Sequence, residues 1–402
     1  MSLAYRTPAE DELRSVLTTT YAAFGEEMKD EDFERDRRVM PLDRVLAAWD
    51  GDVPVGVTAS WPFEVTVPGG LVPAAGVTWV GVLPSHRRRG VLTELMRRQL
   101  DDVRARHEPL AILWASEAPI YGRFGYGITA PETSIDAERG AFRLRDDAPA
   151  RGRVRLVTRE EAARLLPPLY DSRRRERPGL VSRSEDWWRE YVLADPEHWR
   201  DGASPKFYAV LEIDGEAQGY ALYRVKPKWE AGSPRGELRV VEAFTTSSET
   251  TAELWRFLFG IDLVERVKHS RLDPSWALFL MVADPRRLHL SIAEGLWLRI
   301  VDLGAALAAR EITDGEPVVL EVTDALLEQN EGRWEIGPEC RRTHAEPDVA
   351  IDVADLACTY LGAFTFERLA AAGRATELRP GGLARATARF ATPIPPYCPE
   401  GF

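Results

Sequence analysis

Residues 44–61, RVLAAWDGDVPVGVTASW, and residues 206–225, KFYAVLEIDGEAQGYALYRV, share one plan. Each is a strand-like run, a turn built on Asp-Gly, a glycine soon after it, and a second strand-like run. Asp-Gly between alternating apolar runs signals a hairpin, because both turn positions accept positive φ. The segments beyond the two hairpins also match. VTWVGVLPSHRRRGVLTELMRRQL (77–100) and ELRVVEAFTTSSETTAELWRFLFG (237–260) both pass from a β-branched run into helical spacing. In the first, Pro84 ends the strand, and Val91, Leu95, Leu100 and Val103 fall near one helical face. Such repetition restricts the chain to a duplicated α/β fold with mixed sheets. The copies part at the helix entry, where PSHRRRG in the first becomes TTSSETT in the second, without arginine or glycine.

A chain of 402 residues is too long for a single core. We divide it into residues 1–150, 151–290 and 291–402. The first part opens on PAEDELRSVLTTTYAAF, which has helical spacing behind Pro8. It continues through LAILWA, a short buried-type strand, to PIYGRFGYGI, where a proline suits a helix start and glycines close it. The last part, with VVLEVTD, RWEIG and VAIDVADLACTYLG, reads as a smaller α+β domain. Its tail, ATPIPPYCPEGF, is stiff and extended, and Ile394, Tyr397 and Phe402 give it the means to dock.

A formal net charge of −12 argues against nucleic acid as the partner and suits a cationic small molecule. Three scattered cysteines suggest neither a disulfide framework nor a metal cluster, so no metal is expected. No window approaches the roughly 18 to 20 apolar residues of a membrane span, and the N-terminus has no secretion-type apolar core. The expected setting is the cytoplasm, without membrane contact.

The basic corner stands against this acidic background. A strand that hands over to a helix exposes the first N–H groups of that helix and the positive end of its dipole, which suits a phosphate. Arginines add forked hydrogen bonds, and Gly90 lets the backbone approach the ligand. A merely solvated arginine run would be misplaced, since cations belong at the other helix end. No G-K-[ST] is present after it, so this is not a Walker loop.

With R-x-x-G at Arg87–Gly90 between strand and helix, the chain resembles the GCN5-related N-acetyltransferases. The resemblance implies acetyl-CoA as co-substrate, its pyrophosphate held around Arg87, Arg88, Arg89, Gly90, Val91 and Leu92. It implies that Val80 and Val82 pair with the pantetheine arm, the Val82 amide facing the thioester carbonyl as an oxyanion donor. Leu92 departs from the small residue usual at its position. In SEAPIYGRFGYG, Tyr121 precedes the Gly125-Tyr126 pair by the spacing at which many members carry their general acid. A phenol with a pKa of about 10 can protonate a departing thiolate whose own acid lies near 8.5. Tyr126 reads instead as a packing aromatic.

Three domains, a second copy lacking the basic entry, HRRRG, SEAPIYGRFGYG, GYALYRV, EGLWLRI and a terminal Phe together resemble the enhanced intracellular survival (Eis) family. That resemblance spans nearly the whole chain. It implies two tandem acetyltransferase-like domains followed by a sterol-carrier-like domain, assembled as a homo-hexamer that acetylates aminoglycoside amines and, in some members, protein lysines. It also implies that the α-carboxylate of Phe402 is the base, directly or through water, with Ser116 near the thiolate or Tyr121.

The acceptor pocket is read from Tyr21, Phe24, Phe33 and Trp79, and from acids including Glu26, Glu27, Asp30 and Glu400. The run FGEEMKDEDFERDRR has the pattern of a solvated, internally paired stretch. The family's acidic pocket positions fall here on Ala23 and Gly401. SRRRERPG at 172–179 reads as a linker or subunit contact, and His86 as exposed loop. Besides a small-molecule N-acetyltransferase, two readings stay open: a protein-lysine acetyltransferase, and a non-catalytic carrier of an apolar ligand in its last domain.

Overall fold

The computed structural model describes residues 3 to 402, the side chain of Ala141 excepted. The chain packs as two compact units, one of residues up to 130 with 295–396 and 400–402, the other of 131–294 with 397–399.

In the first unit the strands Ala4–Arg6, Val45–Asp50, Val53–Val67, Gly70–Val82, Leu110–Trp114 and the end of Ser291–Ile300 lie in that order. All neighbours are antiparallel except Gly70–Val82 with Leu110–Trp114, which run parallel as the intervening helix Val91–Ala105 requires. That helix buries Val91, Leu95, Met96, Gln99, Leu100 and Val103, the face its spacing announces. On the helix Leu13–Phe24, Leu13, Val16, Leu17 and Thr20 are buried at helical spacing, and the same stripe runs on to Tyr21 and Phe24, which are only partly covered. Gly25, in the left-handed region at φ 76°, ends the helix there.

The acidic run, expected to be solvated, is a helix, Asp30–Val39, with charges inside it. Arg35 closes on Asp32 at 2.6 Å and on Asp36 at 3.3 Å, all three buried. The charges pair internally, as their pattern predicts, but at these positions they are sealed from solvent.

The sterol-carrier-like part is a five-stranded sheet ordered Arg341–Arg342, Gly332–Ile336, Val318–Thr323, Val349–Asp352 and Ala375–Glu377, with helices including Val353–Tyr360. In the second unit the end of Tyr126–Glu138 is succeeded by Val264–Leu272, Gly236–Thr245, Glu216–Lys226, Phe207–Ile213 and Arg153–Val157. Residues 172–179 are not a linker. They close the helix Arg159–Arg174, with Arg174 buried and Arg177 held by both oxygens of Asp273 at 2.7 and 3.1 Å. Among the described residues no helix is long and apolar enough to cross a membrane, and none form a group of three or more metal-type ligands.

Candidate active site

Past Gly76 the parallel strands part. Gly70–Val82 pairs with Leu110–Trp114 only at Ala74, Ala75 and Gly76, so Val77–Val82 carries on with no strand beside that edge. On its other side a bulge sets Trp79 and Val80 against Thr58 alone, and Trp79 takes the left-handed φ of 55°. Strand separation and bulge together open a cleft of about 760 Å³.

Val80, Val82, Arg87, Arg88, Gly90, Val91, Leu92, Ser116 and Tyr121 all line this cleft. Gly90 is the N-cap of Val91–Ala105 at φ 81°, no side chain caps the helix, and a Cβ there would meet nothing within 4 Å. Its first-turn N–H groups are therefore available to a ligand anion. Arg88 shares the positive φ, at 60°. Arg87 is differently employed: Nε donates to the Val82 carbonyl at 3.1 Å and Nη2 to that of Ala23 at 3.0 Å. Arg89 is exposed and is not among the lining residues. His86, read as exposed loop, is a lining residue held by Ser85 Oγ at 2.9 Å and Asp50 Oδ2 at 3.3 Å.

A second cavity of about 380 Å³ shares Phe24, Val80, Ser116 and Tyr121 with the first. Tyr21, Glu26, Trp79, Trp114 and Phe402 complete much of its wall. Tyr121 stands at the junction, on the short helix Ala118–Tyr121 opened by Pro119. Burial raises its phenol above the ordinary value, while a hydrogen bond with Ser116 works the other way. The Tyr126 ring meets it edge-on, with centroids 6.0 Å apart. Tyr126 is fully buried, as a packing aromatic should be. The Tyr21 phenol is also pushed up, first by burial and then by the charges of Asp36 and Asp32 behind it.

Phe402 packs edge-on against Phe63 at 5.1 Å, and Phe63 has room because residue 76 is glycine, where a Cβ would collide with its ring. The tail is docked from Pro396 to Glu400, all buried; Tyr397 does this, its hydroxyl donating to Arg271 O at 2.9 Å, while Ile394 is exposed. Four other candidates lie elsewhere, and of these Asp30 is exposed and pairs with Arg14 at 2.8 Å. Glu27 is exposed and pairs with Lys29 at 3.3 Å. Phe33 is buried with Leu13 and Leu17, under the guanidinium of Arg14. Glu400 is buried and lines neither cavity. Ala23 faces the larger cleft and packs on Gly81, so an acid there would not point into the smaller cavity.

Comparison with known proteins fits this geometry. Two acetyltransferase (GNAT) domain models match residues 4–129 and 179–300, and a sterol carrier protein domain model matches 303–399. An uncharacterized N-acetyltransferase of Streptomyces avermitilis is 42% identical over the full length of both chains. The N-acetyltransferase Eis of Mycobacterium tuberculosis is 34% identical over 98% of each. This chain belongs to the Eis family of GCN5-related N-acetyltransferases. The crystal structure of Eis1 from Mycobacterium abscessus superposes over 100% of both chains, with a TM-score of 0.86 and 32% identity. A GCN5-related acetyltransferase from Anabaena variabilis, 20% identical with a TM-score of 0.84, shares the fold.

The Eis-family chain is thus an acetyltransferase, with the tandem domains and sterol-carrier-like domain its sequence announced. The GCN5-related fold implies acetyl-CoA, and the cleft fits it: an unpaired strand edge for an extended arm meets an uncapped helix start for a phosphate. Sequence reading missed Trp114 and Thr20, which look like ordinary core in their strand and helix but line the smaller cavity, and Phe63, which lines neither cavity but supports Phe402. Only the parted strands and the returning tail make them part of the site.

Proposed function

We propose that this Eis-family enzyme moves the acetyl group of acetyl-CoA onto amines of small cationic molecules, aminoglycosides at one or several positions among them. The observation that carries this reading is the second cavity, where Tyr121 and Phe402 line one space and Tyr121 also lines the cleft beside Gly90. The net charge of −12 and Glu26 in the cavity wall favour a cationic acceptor. The Eis relationship supports a homo-hexamer in the cytoplasm, and the domain division at 150 and 290 belongs to the same reading.

Acetyl-CoA supplies the thioester. Backbone amides of Arg88 to Leu92 would hold its pyrophosphate, and the free edge from Val80 to Val82 its arm, with the Val82 N–H as oxyanion donor. The Phe402 α-carboxylate, directly or through water, takes a proton from the incoming ammonium. As the C–N bond forms and the C–S bond breaks, Tyr121, held by Ser116, gives its phenolic proton to the sulfur, and the second proton leaving the attacking nitrogen passes through water to restore the phenol. Direct transfer needs no covalent enzyme intermediate.

The test is thiol release from acetyl-CoA with aminoglycosides, polyamines and lysine peptides as acceptors, alongside Tyr121→Phe and a chain shortened by Phe402. Turnover on the first class, lost in both variants, is expected. Turnover on lysine peptides alone would move the reading to a protein acetyltransferase. Acetyl-CoA binding without turnover on any amine would overturn it.

A further inference from the structure

The two glycines of GYG, where the turn after Tyr121 passes into the strand Tyr126–Glu138, each pack against the C-terminal part of the chain. A Cβ at Gly125 would stand 2.5 Å from Arg299 Nη1 and 2.7 Å from its Cζ, so the guanidinium lies directly against the turn. A Cβ at Gly127 would collide with the carbonyl oxygen of Ala354, in the first turn of Val353–Tyr360. Between them, Tyr126 sets its ring against Tyr121. The chain beyond Tyr121 is thus held at Gly125 by Arg299 and at Gly127 by the sterol-carrier-like domain.

Arg299 is itself fixed from that domain. Its Nη2 donates to Asp324 Oδ1 at 2.7 Å, with both side chains essentially inaccessible, at 0% and 1%. Asp324 also accepts from the backbone N–H groups of Leu326 and Leu327, at 3.2 and 3.0 Å, and from Asn330 Nδ2 at 2.9 Å. The carboxylate is well satisfied, but the guanidinium is not: Arg299 Nε and Nη1 have no hydrogen-bond partner. Such a cation is a poor stabiliser, since burying it costs more than one ion pair returns. What it contributes is place, a flat rigid group against Gly125.

We propose that the Arg299–Asp324 pair and Ala354 brace the turn that fixes Tyr121, making Arg299 a positioning residue for proton donation and the sterol-carrier-like domain a working part of the acetyltransferase site. This rests on Tyr121 being the proton donor. Arg299→Lys in the full-length enzyme keeps the charge beside Asp324 and loses the flat contact, and Gly127→Ala pushes on the same stretch at its second contact, Ala354.

Both variants are expected to lower kcat about tenfold, as misplacement of a reacting group does. KM for acetyl-CoA should stay within about twofold, because the anion-binding turn is a separate element. Amide hydrogen exchange over residues 118–127 should quicken. In a Tyr121→Phe background the Arg299→Lys change should have little further effect on kcat. Unchanged exchange over 118–127 in both variants, or an equal loss of kcat in both backgrounds, would overturn the brace. Full kcat in Tyr121→Phe alone would instead overturn the donor assignment, and hydrogen exchange would still decide on the brace.

Discussion

Tyr121 shows how one residue's setting predicts its pH behaviour. Burial raises its pKa, with the largest weight, and the Ser116 hydrogen bond lowers it. As the proposed donor it must be protonated, so its competent form persists from neutral pH up to the raised pKa, and this group's titration lowers activity on the alkaline side. Ser116→Ala removes the lowering contact, so the alkaline limb of kcat should move to higher pH; a move to lower pH would contradict that setting. Tyr121→Phe should cost about 10²- to 10⁴-fold in kcat, with KM for acetyl-CoA nearly unchanged. The arginines divide in a way their order in RRRG does not reveal. Arg87 bonds two backbone carbonyls, and Arg88 lines the cleft with its backbone turned to positive φ. Arg88→Ala should weaken acetyl-CoA binding and flatten its salt dependence, measured by calorimetry from low to high salt. Arg87→Ala should instead lower thermal stability, by about 1 kcal/mol for the lost hydrogen bonds. Loss of affinity with unchanged stability would show that Arg87 serves the anion after all.

At the scale of elements, the site is a helix start beside a parted strand, and Gly90 is where the two meet. Its φ of 81° strains any L-residue, although a Cβ would find open space. Gly90→Ala should therefore cost about 1–2 kcal/mol of stability, from backbone alone, and Gly90→Asn less, because asparagine tolerates that region. Thermal melts of the two variants test this order. This element was legible in the sequence because strand, turn and helix are contiguous and each has its own period. The smaller cavity was legible only in part. Tyr21, Phe24 and Trp79 belong to it, but Phe33, from the same stretch, turns into a small core under Arg14. Glu26 lines the wall and its neighbour Glu27 does not. A helical period says which residues share a face, not where the core ends and a cavity begins. The helix Asp30–Val39 gives the sharper lesson. Its charges at 32, 35 and 36 fit a solvated surface equally well, and only packing against other elements shows Arg35 sealed between two carboxylates.

For the whole molecule the question is whether two copies of one fold offer one site or two. In the second copy the parallel pairing of Gly236–Thr245 with Val264–Leu272 also stops, at Val240, so the strands part as they do in the first. There, however, Glu242 is buried and takes both ends of the Arg183 guanidinium at 3.0 and 2.9 Å, together with the Tyr220 hydroxyl. The same guanidinium lies over Tyr170 and Trp188, 3.9 and 4.6 Å from their centroids. The helix entry is closed as well. Ser247 accepts the N–H of Thr250 at 3.2 Å, and the Thr250 hydroxyl accepts that of Ser247 at 3.0 Å, so donors that Gly90 leaves free in the first copy are satisfied internally in the second. Strand edge and helix start, the two features that suit acetyl-CoA, are each answered by the chain's own side chains. Calorimetric titration with acetyl-CoA should therefore give one site per chain. Glu242→Ala should not create a second, because the Ser247 cap remains, and should destabilise the protein as a buried cation loses a bidentate partner. Two sites per chain, in the native enzyme or in that variant, would mean the second copy still binds the donor despite its plugged cleft.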